Sequence, residues 1–169
     1  LQAHHGHIAA LIVEPLIQCA TGMAMHDPLY LSLARQACDR YGVHLICDEI
    51  AVGFGRTGSL FAHQQAGIRP DFICLSKGLT GGTLPLSAVL TTDEVYAAFY
   101  DDDAARGFLH SHSYTGNPLA CRAAVATLEL FEQLDPLAAN RQLARKISAA
   151  FAGLNAHPRV SNARQQGMI

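Results

Sequence analysis

With 169 residues, half of them hydrophobic, the chain is long enough for one domain of ordinary size around a buried core. Its formal charge of -2 supplies no basic field for nucleic acid and no polybasic run for an anionic membrane surface. No apolar stretch reaches the roughly 20 residues that a membrane helix requires.

The sequence starts on Leu1 and stops on Gly167-Met168-Ile169 without a closing turn, so it reads as a piece of a longer protein cut at both ends. Five cysteines, at 19, 38, 47, 74 and 121, form no CxxC pair. Buried, reduced thiols in a cytoplasmic protein are the expectation. His4, His5 and His7 are expected as a solvated segment rather than a metal tract.

In chain order, Ile8 to Glu14 is a continuous apolar run closed by Pro15, which predicts a strand buried on both faces. Asp27-Pro28 predicts a helix start. Leu29, Leu33, Ala37 and Tyr41 recur every fourth residue and mark its apolar face, with Gly42 as the stop. His44 to Cys47 is the next strand, so the unit is strand, helix, strand, the building block of a parallel sheet. The Gly-rich segment Gly53-Phe54-Gly55-Arg56-Thr57-Gly58 and a short helical stretch near Phe61 to Ala66 follow. Phe72 to Ser76 is a third strand and delivers Lys77. Gly81-Gly82 turns the chain into a fourth, Leu86 to Thr91. Thr91 and Glu94 have capping-box spacing for a helix to about Tyr100. Asn117-Pro118 opens a long helix with Arg122, Glu129 and Gln133 on one side. Asp135-Pro136 opens another, with Leu143, Ile147, Phe151 and Leu154 as its apolar face. A different substructure is expected from His157 onward.

Functional groups of an open parallel sheet gather where strands end, because loops there surround a crevice. Glu14, Asp48 and Lys77 each end or follow a predicted strand. A lysine in a partly dry pocket can form an imine with an aldehyde. A buried aspartate can keep a pyridine ring protonated, and that ring is an electron sink. Taken singly, Lys77 reads as an ordinary surface lysine and Asp48 as a cap or turn residue, and spacing alone leaves the choice open.

Three segments carry a resemblance. Asp48-Glu49-Ile50-Ala51-Val52-Gly53-Phe54-Gly55-Arg56-Thr57-Gly58 is similar to the signature of class III aminotransferases. So are Pro70 to Gly82, with Lys77 between strand and glycines, and Tyr114-Thr115-Gly116-Asn117-Pro118-Leu119-Ala120-Cys121. They stand in the family's order, and the likeness covers essentially the whole chain. It implies a pyridoxal-phosphate (PLP) enzyme of α/β fold type I, with a mainly parallel sheet covered by helices on both faces. Residues 1–156 would form the second half of the large domain and 157–169 the start of the small one. Lys77 would hold PLP through an imine and shuttle the proton between substrate and cofactor carbons. Asp48 would bond the pyridine nitrogen, and Ile50 would pack on one ring face. Ser113 stands where the family usually has a phosphate-binding threonine, often acting across a homodimer interface. Arg56 and Glu49 are expected to be structural.

Within the class, Ala20 and Ala51 depart from the ornithine and 4-aminobutyrate members, which often carry Glu and Gln there. Glu14-Pro15-Leu16-Ile17-Gln18, Gly22-Met23, His110 to Asn117 and Arg164 to Ile169 resemble the biotin-pathway branch instead. That branch moves an amino group from S-adenosylmethionine to 8-amino-7-oxononanoate, and some members use lysine as donor. Cys19 stands where a glycine is expected. From another class, His44 to Glu49 also fits the Walker B strand of an ATPase, but no Gly-x-x-x-x-Gly-Lys-Ser/Thr segment accompanies it.

Overall fold

The computed structural model describes residues 1–169. Its elements are β1 (Ala10–Val13), β2 (Ile17–Gln18), β3 (Ala24–Met25), α1 (Pro28–Tyr41), β4 (His44–Asp48), β5 (Phe72–Leu75), β6 (Ala88–Thr91), α2 (Asp93–Ala97), α3 (Pro118–Leu134) and α4 (Pro136–Phe151). Short 3-10 turns fill several of the connections. The main sheet has the order β1-β4-β5-β6. β1 and β4 pair in parallel, as do β4 and β5, whereas β6 runs antiparallel along β5. The expected mainly parallel sheet is therefore present. A two-stranded antiparallel ribbon, β2 and β3, sits beside it; the two-residue strands are too short to leave a periodicity in the sequence.

Helix starts follow local side-chain chemistry. Asp27 accepts from the backbone N–H of Leu29 at 2.8 Å, Asn117 from Leu119 at 3.0 Å, and Asp135 from Ala138 at 3.2 Å. In each case a proline follows at the first helical position, where its missing N–H costs nothing. Gly42 ends α1 in the left-handed conformation, as expected.

Four expectations are corrected. The face of α1 that packs inward is Leu31 and Cys38, both fully buried, while Leu29 and Leu33 are 60% and 54% exposed. The helix carries two apolar stripes. Leu31 fits the cluster of Leu16, Ile17, Val52 and Ala62, and Cys38 fits that of Val43, Leu45 and Cys47, so the neighbours decide the side. β1 is not buried on both faces: Ile12, on one of them, is 61% exposed. The cap of α2 is Thr92, whose hydroxyl accepts from Val95. Thr91 belongs to β6, and its hydroxyl donates to the Asp71 carbonyl. The apolar face expected on α4 is exposed at Leu143 and Phe151 and half-buried at Ile147, and Leu154 falls past the end of the helix in a 3-10 turn, where it is exposed.

The five cysteines are free; Cys38 and Cys47 are buried, Cys19 and Cys74 half-buried, and Cys121 is exposed, against the expectation of burial. His4, His5 and His7 are exposed. No helix is long and apolar enough to cross a membrane. The closing segment turns back onto the body. Arg164 donates to the carbonyls of Gly22 and Met23, and the Met168 N–H donates to Arg56.

Candidate active site

β4 and β5 run in parallel with Asp48 opposite Cys74. Asp48 is thus the last residue of one strand, and Lys77 follows the end of its neighbour by two residues. The Glu49 N–H donates to the Cys74 carbonyl at 3.0 Å, which ties the two strand ends together. The Asp48 carboxylate accepts from the Ile50 N–H at 3.0 Å through Oδ1. Its other oxygen has no protein partner. Asp48 lines a cavity of about 520 Å³ together with Glu14, Gln18, His26 and Tyr30.

Lys77 is exposed, and its ammonium enters no ion pair or hydrogen bond. Its backbone is left-handed, with φ of 44°, a conformation uncommon outside glycine. Cys19 links the two sides of the site. Burial pushes its thiol pKa up, and the Glu14 carboxylate pushes it further; Lys77 and Arg56 pull it down. Cys74, on the strand that leads to Lys77, is also raised, first by burial and then by Asp48. The Glu14 carboxylate accepts from the Cys19 N–H at 3.0 Å, and Cys19, expected to be glycine, takes a side chain without strain because its φ is not positive.

Behind Asp48 stands a polar group that is wholly enclosed. Glu49 is fully buried, and its carboxylate accepts from the N–H of Ala62 at 2.9 Å, the N–H of His63 at 2.9 Å and the His63 ring at 2.8 Å. Glu49 is structural in these contacts. It cross-links the end of β4 to the turn at Ala62–Ala66. Arg56 is exposed, and its carbonyl receives the Met168 N–H at 2.8 Å. Ile50 is half-buried beside Asp48. Ser113 lies exposed on the loop before α3 and makes no hydrogen bond; the structure does not bring it into the cavity. His26 and Tyr30 escaped the sequence reading. His26 directly precedes the cap residue Asp27, and its ring bonds the Glu14 carbonyl at 3.1 Å and meets Tyr30 edge-on. The only signal for it was position, one residue before a capped helix and after a short strand.

A carboxylate with one committed and one free oxygen at one strand end, and an unpaired lysine two residues past the end of the neighbouring strand, suit a cationic aromatic heterocycle bearing an aldehyde, although Lys77 itself does not line the cavity. The free Asp48 oxygen can accept from a ring N–H, and the Lys77 amine can attack the aldehyde carbon. On donor chemistry the residues present fit PLP.

The family model Aminotransferase class-III matches residues 1–169. The adenosylmethionine-8-amino-7-oxononanoate aminotransferase of Helicobacter pylori is 47% identical over 100% of this chain and 40% of its own length. The enzyme of the same name from Nitratidesulfovibrio vulgaris is 45% identical, over 100% of this chain and 32% of its own. Among solved structures, the adenosylmethionine-8-amino-7-oxononanoate aminotransferase of Methanocaldococcus jannaschii superposes with a TM-score of 0.92 at 36% identity, covering 98% of this chain and 39% of that one. The ornithine aminotransferase of Toxoplasma gondii, described with partial occupancy of PLP at its active site, superposes at 0.83 and 31% identity, over 94% and 36% of the two chains. The chain spans about two fifths or less of the length of these relatives.

Proposed function

The chain belongs to the class III aminotransferases, and from that premise we propose that it carries the cofactor-lysine half of a PLP-dependent biotin-pathway aminotransferase. The reaction is transfer of an amino group from S-adenosylmethionine to 8-amino-7-oxononanoate, giving 7,8-diaminononanoate. The observation that carries the reading is the placement of Asp48 and Lys77 at neighbouring parallel strand ends, each free to engage a ligand. The relatives at 45–47% identity support this branch by their names.

When bound, PLP supplies an electron sink for the carbanion formed at the substrate carbon that loses its proton. The protein's residues do the rest. Asp48 holds the ring nitrogen protonated through the oxygen that Ile50 leaves free. Its Oδ1 is locked by the backbone, so the carboxylate keeps one orientation. The Lys77 Nζ would hold the cofactor and, when free of it, would serve as the base that moves the proton at the substrate carbon. Ile50, half-buried beside Asp48, would cover one face of the ring and keep water from it. Ser113, on its exposed loop, would donate to the cofactor phosphate of the second subunit of a homodimer. Residues 1–156 belong to the large domain and 157–169 begin the small one; the whole enzyme works in the cytoplasm.

The test uses the full-length protein. Lys77→Ala should lose both the visible absorbance of the lysine-linked cofactor and transamination. Retention of both by the variant defeats the assignment of Lys77. With the unmodified enzyme, the visible band should bleach on addition of S-adenosylmethionine. Bleaching by lysine alone keeps the pathway and changes the donor, and bleaching by 4-aminobutyrate moves the protein to another branch.

A further inference from the structure

The backbone beside Lys77 is held by an aromatic ring that belongs to another loop. Lys77 and Phe54 are both non-glycine residues in the left-handed region, with φ of 44° and 54°. The surroundings impose both conformations, and the two segments meet at Gly78. The contact itself is close. A Cβ built on Gly78 would stand 2.7 Å from the Phe54 Cβ and 2.8–2.9 Å from its ring atoms. Only a residue without a side chain fits there, and the Phe54 side chain therefore packs directly against Gly78, the residue after Lys77.

Phe54 is itself fixed from behind. It is 8% exposed, in a cluster with Leu75, Leu79 and Ala124, and it meets the rings of Phe61 and Phe131 edge-on at 5.7 and 6.2 Å. The loop that carries it is fastened by the closing segment. The Met168 N–H donates to the Arg56 carbonyl at 2.8 Å, and the Gln166 side-chain amide donates to the Thr57 carbonyl at 3.2 Å. On the other side, the Lys77 carbonyl accepts from Gly82 at 3.1 Å, which closes the turn that starts at the lysine. Lys77 is thus the one flexible side chain departing from a backbone that is clamped on both sides.

We propose that Phe54 is a positioning residue for Lys77: its ring, seated on Gly78, fixes the turn from which the lysine reaches its reaction partner. The proposal rests on the reading of Lys77 as the cofactor lysine. A lysine that must form a covalent link and afterwards relay a proton gains from a fixed Cα, because only its side chain then has to search. Phe54 touches neither reacting atom and acts through the lysine alone.

That last statement is what the experiment tests, in full-length protein, by a double-mutant cycle on PLP affinity. Phe54→Leu removes the ring, and Phe54→Met keeps the bulk without its rigidity, so that one variant folds if the other does not. Each is paired with wild-type Lys77 and with Lys77→Ala, and PLP affinity is measured by fluorescence titration. Borohydride reduction followed by peptide mass analysis reports whether PLP is attached to Lys77. With Lys77 present, loss of the ring should weaken affinity about tenfold. In the Lys77→Ala background it should change less than about twofold, because the residue through which Phe54 acts is gone. Equal losses in both backgrounds would mean that Phe54 merely supports the fold and would overturn the proposal. No loss in either background would overturn it as well. Failure of the reading beneath it has a separate signature, wild-type protein that binds PLP with no adduct at Lys77.

Discussion

Two regions of the molecule solve the same problem in opposite ways. Of its 22 buried residues, only Ala120 and Ala124 lie beyond Thr80. Up to Thr80, the strand ends and their loops bury apolar groups and polar ones together, and the polar ones are paired except for the His26 Nδ1 and the Arg35 Nε. Glu49 is enclosed with three donors on its carboxylate, and the Asp71 carboxylate accepts from Arg35 and from the Leu45 N–H. Beyond Thr80, α3 and α4 are well capped, yet Leu130, Leu134, Leu143 and Phe151 stand exposed. A helix can be specified by its caps and composition alone, whereas a strand end that encloses a carboxylate needs neighbours that pair it.

The comparison is most exposed to failure at Glu49. Replacement by Ala strands three donors in a closed interior, and unfolding in denaturant should show a loss of about 3–5 kcal/mol. Glu49→Gln keeps one acceptor oxygen and should lose less. A change below about 1 kcal/mol for Glu49→Ala would mean that the enclosed pairing contributes little. Leu31→Ala should follow, at about 2–5 kcal/mol, because it opens a void among Leu16, Ile17 and Val52 that the backbone cannot fill.

Asp71 sharpens the comparison through pH. Burial pushes its pKa up, but the bonds from Arg35 and Leu45 and the charges of Arg35 and His44 outweigh that, so the net shift is downward. The unfolded chain therefore binds more protons than the folded one between the lowered pKa and the ordinary aspartate value of about 3.9. The stabilisation is fully present above the ordinary value and disappears as pH falls through the folded one. Asp71→Asn should thus cost about 1–3 kcal/mol at pH 7 and little at strongly acidic pH, as read from denaturation midpoints at both. A cost that does not change with pH would assign the effect to shape instead of charge. The smallest effect is expected in the second region. Phe151→Ala, at a position 57% exposed, should change the stability of this chain by less than about 1 kcal/mol. A cost comparable to that of Leu31→Ala would show that α4 is held by its apolar face after all.

Much of this was legible in the sequence wherever the cause is local. The caps Asp27, Asn117 and Asp135 act on N–H groups two or three residues away, and glycine ends α1 because its own backbone permits it. The strand-end positions of Asp48 and Lys77 were legible because apolar runs and glycines bracket them. The expectation that Glu49 is structural also matched, since a carboxylate one residue past a buried strand must find donors. Tertiary structure decided what depends on residues far apart in the chain. It chose the Leu31 and Cys38 side of α1 over the Leu29 and Leu33 side, because only the first meets the clusters beneath it. It moved the cap of α2 from Thr91 to Thr92, because the Thr91 hydroxyl is engaged by the Asp71 carbonyl. It also laid Phe54 on Gly78, a contact across 24 positions that no pattern announces. Local chemistry acts over one turn of chain and can be read in order; packing compares surfaces, and those exist only once the chain has folded.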